Sequence, residues 1–240
     1  MSSIAVIYLN REFAAAERFK ESYLSHYNGI PHDLIAVNKG TIFSLKNVDR
    51  EINVTDIGCG MWTYRYAVNR TFYNFYCFLN SWSVIQCDNW LLKLYNVIKD
   101  PSVGIAGCSG SLESFYSNNP TWWRRILFPK FPNPHVRTTG FMMSRTNALR
   151  FLPKFPAPKQ IEYLHEHGRN SITRRVIRAR LKAMIVDSRG IAFSNLDISN
   201  TYRCQMQENL MIQDKRTEIY ECSLPKKQQY LERLSSCMRM

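Results

Sequence analysis

The chain has 240 residues, 45% of them hydrophobic and 13% aromatic, enough to bury one sizeable core and too even in composition to demand two. No apolar stretch approaches the roughly 20 residues that cross a bilayer, and Met1 to Phe13 lacks the basic-then-apolar pattern of a leader, so a soluble, unprocessed protein is expected. The net charge of +13 excludes an electrostatically indifferent surface: residues 121–182 hold 14 Lys and Arg against two acids, Glu162 and Glu166, while the remainder is nearly balanced.

An excess confined to one stretch implies an anionic partner: phosphate groups of a small molecule, a nucleic acid backbone or an anionic membrane surface. Seven cysteines make an odd count without a CxxC pair, which reads as reduced core thiols in a cytoplasmic setting.

Ile4 to Leu9 is a short apolar run ending at Asn10-Arg11, and Phe13 to Tyr27 follows with helical spacing, so the chain opens strand then helix. Leu34 to Val37 reads as a second strand and Ile52 to Thr55 as a third. Asp56-Ile57-Gly58-Cys59-Gly60 then makes a loop into a helix over 61–69. The run from Tyr73 to Leu79 reads as a buried parallel strand and stops abruptly at Asn80-Ser81-Trp82-Ser83. A helix over 88–98, a strand over 103–106 and a Gly/Ser turn at 107–111 come next. Residues 115–135 are aromatic, proline-rich and irregular, which predicts a loop over a site. Phe141 to Ser144 returns to strand character, Asn170 to Lys182 is a strongly basic helix, and 183–187 with 191–193 form a hairpin around Ser188-Arg189-Gly190. This alternation predicts an α/β fold, a Rossmann-like, mostly parallel sheet covered by helices on both faces. The carboxyl ends of its strands are where a ligand sits, which directs attention to Asn80, Ser81 and Trp82.

The Asp56 loop, as Asp-x-Gly-x-Gly after a strand, fits an S-adenosylmethionine-dependent methyltransferase. Against that, Trp62 stands where a third glycine is usual, and no acid between Asp56 and Asp88 is placed to bind ribose hydroxyls.

The same residues in order, with Tyr64 and Arg65 on the helix after the Asp56 loop, resemble the nucleotide-binding half of GT-A fold glycosyltransferases. The likeness is greatest to the small bacterial and viral enzymes that build surface polysaccharides of the rhamnan and O-antigen type. Phe131-Pro132-Asn133-Pro134-His135-Val136-Arg137-Thr138-Thr139-Gly140-Phe141 and Tyr163-Leu164-His165-Glu166-His167-Gly168-Arg169-Asn170-Ser171-Ile172-Thr173 resemble two further blocks of that group. The resemblance spans about 3–215, which implies a single GT-A-like domain over 1–215 and leaves 216–240 as a helical extension.

What the resemblance implies is a nucleotide pocket lined by Asn10, Arg11, Asp56 and Arg65. Asn80-Ser81-Trp82 would stand where such enzymes hold Asp-x-Asp for Mn2+ or Mg2+. No carboxylate is present there, so the sequence assigns no metal ligand and leaves the divalent cation open. His135, Arg137 or Arg124 are cations that would offset the charge of a diphosphate leaving group instead. The simpler role for Asn80 is a strand-end cap.

Glu166 is the candidate general base, one of two acids in 62 residues, ahead of Gly168 and the N-cap candidates Asn170 and Ser171. Glu162, one helical turn earlier, is either an alternative base or a partner of Lys159, and Glu166 is alternatively a surface carboxylate neutralising arginines. Trp122 and Trp123 would stack on a sugar or anchor the loop, and the basic helix with Arg174, Arg175, Arg178, Arg180 and Lys182 is a solvated face or contacts phosphate. Tyr202, Arg203, Gln207 and Asn209 belong to the resembling region without individual roles.

The expectation is an inverting transferase in the cytoplasm, or peripheral at an anionic membrane. It takes a nucleotide-diphosphate sugar donor and a glycan or lipid-linked glycan acceptor. A nucleic-acid-binding protein is the competing class, its support the basic and aromatic residues interleaved over 122–137.

Overall fold

The computed structural model describes residues 3–41, 43–58, 60–118, 120–194 and 209–235. Strands β1 (Ile4–Asn10), β2 (Asp33–Lys39), β3 (Arg50–Val54) and β4 (Phe75–Leu79) lie parallel in the order β3-β2-β1-β4. Helices α1 (Phe13–Ser25) and α2 (Gly60–Asn69) make the crossovers. The chain continues through β5 (Val84–Ile85), α3 (Trp90–Ile98), β6 (Val103–Gly107), β7 (Gly110–Ser111), α4 (Phe115–Asn118), α5 (Trp122–Leu127), β8 (His135–Val136) and β9 (Gly140–Ser144). It closes with α6 (Arg145–Phe151), α7 (Lys159–His167), α8 (Ile172–Arg178), β10 (Lys182–Val186), β11 (Ala192–Phe193), β12 (Ile212–Gln213), α9 (Lys215–Glu221) and α10 (Pro225–Ser235).

The main sheet has eight strands in the order β11-β10-β6-β9-β4-β1-β2-β3, with β9 and β11 running against the rest. It is a large, mostly parallel mixed sheet of α/β type. β1 explains its stability in miniature: Ala5, Ile7 and Leu9 pack into one core layer and Ile4, Val6 and Tyr8 into the other, the two-residue period of a strand buried on both faces. α2, α6 and α8 cover the first face, and α1 and α3 the second.

Two expectations change, and one strand gains a direction that the sequence did not assign. The stretch 115–135, expected as loop, contains α4, α5 and β8. Phe141 to Ser144 is a strand but antiparallel, wedged between β4 and β6, because β8 first pairs with β7 and the chain re-enters the sheet from the opposite end. The basic helix ends at Arg178: Arg180 adopts φ 62, a left-handed turn that breaks the helix, and Lys182 opens β10.

The hairpin expected around Ser188-Arg189-Gly190 is present. Asp187 accepts from the backbone N–H groups of Arg189 and Ile191 at 3.0 and 2.9 Å, and Gly190 supplies the positive φ. β12 and α9 pack against the domain, with Met211, Ile212 and Tyr220 buried, so the expected boundary after 215 falls at the start of a packed helix. Cys59, Cys204, Cys237, Tyr202, Arg203 and Gln207 lie outside the described residues. Among those described, Cys77, Cys87, Cys108 and Cys222 are free thiols, and no helix is long and apolar enough to cross a membrane.

Candidate functional site

A cleft of about 530 Å³ opens at the carboxyl ends of β1 and β4. Leu9, Asn80, Ser81 and Trp82 form its sheet edge, Gly60, Met61 and Tyr64 of α2 one wall, and α7 with α9 the other.

The sheet edge is built by the turn after β4. Asn80 Oδ1 accepts from the Trp82 N–H at 2.9 Å and from Ser83 Oγ at 3.2 Å, the self-capping that asparagine performs at strand ends. Tyr8 donates its hydroxyl to the Ser81 carbonyl at 2.9 Å, and Ser83 Oγ donates to the Thr139 carbonyl at 2.8 Å. Asn80 is therefore both a strand-end cap and a lining residue.

The segment between β8 and β9 links this turn to the ionisable groups. Thr138 donates both its hydroxyl, at 2.9 Å, and its N–H, at 3.3 Å, to Glu166 Oε1. Glu166 Oε2 has no hydrogen-bond partner among the described residues, and the side chain faces the cleft. Burial pushes this carboxyl up, but His167, His135, Arg137 and Arg216 outweigh it and hold Glu166 below the ordinary carboxylate range. It is charged at neutral pH.

Next to it, Arg137 donates to Asp214 Oδ2 at 2.7 Å and Thr139 Oγ1 donates to the same oxygen at 2.6 Å. Asp214 also caps α9, accepting from the N–H groups of Arg216 and Thr217 at 3.0 Å each. Burial opposes its ionisation, yet Arg137 and these bonds lower its pKa to about 2. The pair orients Arg137 and places Lys215 and Arg216 on the rim, Lys215 Nζ lying 4.4 Å from the Trp82 ring centroid.

Of the residues expected to line a pocket, Arg11, Asn80, Ser81, Trp82, Arg137 and Glu166 meet here. The others lie elsewhere. Asn10 is fully buried and donates to Asn38 at 2.8 Å, inside the sheet. Asp56 sits behind Arg11, bonded to Lys39 at 2.7 Å and Arg11 at 3.2 Å, and the Lys39 hydrogen bond is the main reason its carboxyl lies below the usual range. Arg65 turns the other way along α2 and donates to the Leu149 and Leu152 carbonyls at the end of α6.

His135, expected as a cation facing the site, is buried against the His167 ring at 5.4 Å, with Nδ1 bonded to the Asn133 carbonyl. Burial, with His167 nearby, lowers its pKa to about 4, so it is neutral at pH 7. Arg124 lies over the Phe115 ring at 4.2 Å, away from the cleft. Glu162 lines the cleft but accepts from the Met61 N–H at 2.8 Å, so it caps the start of α2.

In the glycine loop Gly60 lines the cleft, whereas Gly58 is packed against the protein. Lys39 Nζ donates to the Gly58 carbonyl at 2.6 Å, and a Cβ on Gly58 would meet the Ala157 backbone at 2.7 Å. Nor does the strand end fit Mn2+ or Mg2+: its donors are an amide oxygen and a carbonyl already engaged, without a carboxylate. Among the described residues no three His, Cys, Asp or Glu side chains gather as a metal site.

Asp214, Lys215 and Arg216 were assigned no role from the sequence. A readable signal exists, since Asp214 followed three residues later by Thr217 ahead of Ile219 and Tyr220 is a helix-start pattern, realised here as a capping box. Its arrival at the cleft is a tertiary event that local pattern does not encode. The sequence matches no family model and no curated protein.

Proposed function

We propose that the chain is an inverting glycosyltransferase of GT-A-like build, moving a sugar from a nucleotide diphosphate to a hydroxyl of a glycan acceptor. The observation that carries this reading is Glu166. It is a carboxylate gripped on one oxygen by Thr138 and exposed on the other to a cleft at the strands' carboxyl ends, in company with Arg11, Arg137, Lys159, Lys215 and Arg216.

In the proposed step the acceptor oxygen forms a bond to the anomeric carbon from the face opposite the leaving group. The carbon–oxygen bond to the diphosphate breaks, its electron pair leaves with the nucleoside diphosphate, and the hydroxyl proton passes to Glu166. A carboxylate held below its ordinary range takes that proton only as the attacking oxygen acidifies along the reaction, so transfer and bond formation go together. Lys215 and Arg216, fixed by the capped start of α9, with Arg137 held by Asp214, are the charges that offset the leaving diphosphate. The free thiols fit a reducing, cytoplasmic setting. The first glycine of the Asp56 loop, Gly58, is packed against Ala157 with its carbonyl taken by Lys39, which gives no support to S-adenosylmethionine binding.

A thermal-shift panel of UDP-, GDP-, CMP- and dTDP-sugars tests the reading. One nucleotide should raise the melting temperature, and the shift should persist in EDTA. A shift with S-adenosylmethionine and none with any nucleotide sugar would overturn it, and steeply salt-sensitive binding of oligonucleotides alone would favour a nucleic-acid partner.

A further inference from the structure

α5 is built inside out. A solvated surface helix turns its apolar side inward and its charges outward, but α5 buries none of its six residues. Trp122 and Ile126, like Trp123 and Leu127, are four residues apart and share a side. They are 77, 62, 38 and 39% exposed. Arg124 instead turns inward, its guanidinium 4.2 Å from the Phe115 ring centroid and 4.9 Å from that of Trp123.

The outward face is held firmly. Phe128 at the end of α5 is buried, the Arg169 N–H donates to the Leu127 carbonyl at 2.9 Å, and Arg169 Nη2 donates to the Arg125 carbonyl at 3.2 Å. Cations surround it. Arg125, Lys130, Arg169 and Arg178 are exposed, and Arg178 donates to the Arg169 carbonyl at 2.9 Å and to Asn170 Oδ1 at 3.1 Å, neutral partners that leave its charge uncompensated. Residues 121–161 contain no acid.

Two tryptophans and two aliphatic residues facing outward, bordered by arginine and lysine, match the chemistry of a headgroup layer: indoles at the interface, cations on lipid phosphates. We propose that α5 seats the protein on an anionic membrane surface, with Trp122, Trp123, Ile126 and Leu127 entering the headgroup region. The basic border rules against a partner of mixed charge and selects an anionic lipid layer.

The docking does not depend on sugar transfer. Its consequence does: Tyr163 lines the cleft and contacts the Phe115 ring at 5.7 Å, so the cleft lies one ring layer from α5 and would open close to a lipid-linked acceptor.

The full chain should co-sediment with phosphatidylcholine vesicles containing phosphatidylglycerol and stay in solution with phosphatidylcholine alone. Trp122→Ala with Trp123→Ala should abolish co-sedimentation while leaving the melting temperature and any nucleotide-sugar shift unchanged. Arg125→Ala and Lys130→Ala should each weaken vesicle binding about fivefold, a loss that added salt reproduces. Failure to bind anionic vesicles, or binding indifferent to the tryptophan pair, overturns the proposal. So does a tryptophan-dependent complex with a single-stranded oligonucleotide, or loss of activity on a soluble glycan in the double variant, either of which reassigns the face. Because the vesicle assay needs no turnover, its failure leaves the nucleotide-sugar panel free to succeed.

Discussion

The two sides of the cleft are built on different principles. The side formed by β1, β4 and the turn after it is neutral, closely packed and built on a regular strand–helix alternation in which each element is specified by its own local pattern, although Tyr8 reaches Ser81 across 73 residues. The side formed by the β8–β9 segment, α7 and α9 is charged, irregular and assembled from parts of the chain far apart. The Arg137–Asp214 pair spans 77 residues and the Thr138–Glu166 pair 28. The first side sets where a ligand sits, and the second sets what can happen to it. Packing energy should dominate substitutions on one and electrostatics on the other.

The sharpest contrast is Glu166→Gln. The amide keeps the shape and one acceptor for Thr138 but cannot take a proton, so on the proposed reaction turnover should fall by about 10²–10⁴-fold with donor binding retained. Single-turnover rates beside a donor thermal shift measure both. Near-normal turnover would remove Glu166 from the chemistry and transfer attention to Glu162.

Asp214→Ala and Phe78→Ala form a matched pair. Removing Asp214 takes a buried ion pair from Arg137 and the cap from α9, a cost of about 3–5 kcal/mol. Phe78, fully buried in the sheet core, costs about the same through the cavity it leaves. The two should differ in pH dependence. Asp214 has a folded-state pKa near 2, below its ordinary value, so its stabilisation is present above the ordinary value and is lost as pH falls toward about 2. The Asp214→Ala deficit in urea midpoint should therefore shrink between about pH 5 and pH 3, and the Phe78→Ala deficit should not. Parallel behaviour would mean that Asp214 acts through packing alone.

His135 tests the charged side at milder pH. Its folded-state pKa of about 4 lies below the ordinary value of 6.5, so acid favours the unfolded chain, which takes up a proton that the fold refuses. Stability should decline as pH drops from 6.5 toward 4. His167, lowered chiefly by its burial, adds in the same direction. His135→Gln should flatten part of that decline. An unchanged slope would place the acid sensitivity elsewhere.

How much of this was legible follows the same division. Strands β1 to β4, α2, the β10–β11 hairpin and the Ser171 cap of α8 could be read from periodicity and punctuation, because each is specified by residues within a few positions of one another. The ends of β1 and β4 pointed to the cleft for the same reason. The direction of β9 could not be read, since Phe141, Met142 and Met143 are buried on both faces and an apolar run has no polarity. Asp214 and the start of α9 were recognisable at most as a helix start. The burial that keeps His135 neutral comes from α7, and the turn of Arg65 toward α6 from packing between helices. For Asn10, Arg65 and His135 the deciding neighbour, Asn38, Leu149 and His167 in turn, was distant in sequence.

The smallest effect probes whether the neutral side only positions. Tyr8 stacks on Phe19 at 3.9 Å and donates its hydroxyl to the Ser81 carbonyl, reaching from the middle of β1 to the turn at the cleft. Tyr8→Phe keeps the ring and removes one buried hydrogen bond, a loss of about 1 kcal/mol in unfolding free energy. The turn keeps its Asn80 cap and its bonds to Thr139, so its geometry should survive and a nucleotide sugar that stabilises the wild type should bind the variant within about twofold. A tenfold or larger loss of that affinity, measured by titration at equal folded fraction, would show that placement of the Ser81 carbonyl is part of recognition, and the division between a positioning side and a chemical side would not hold.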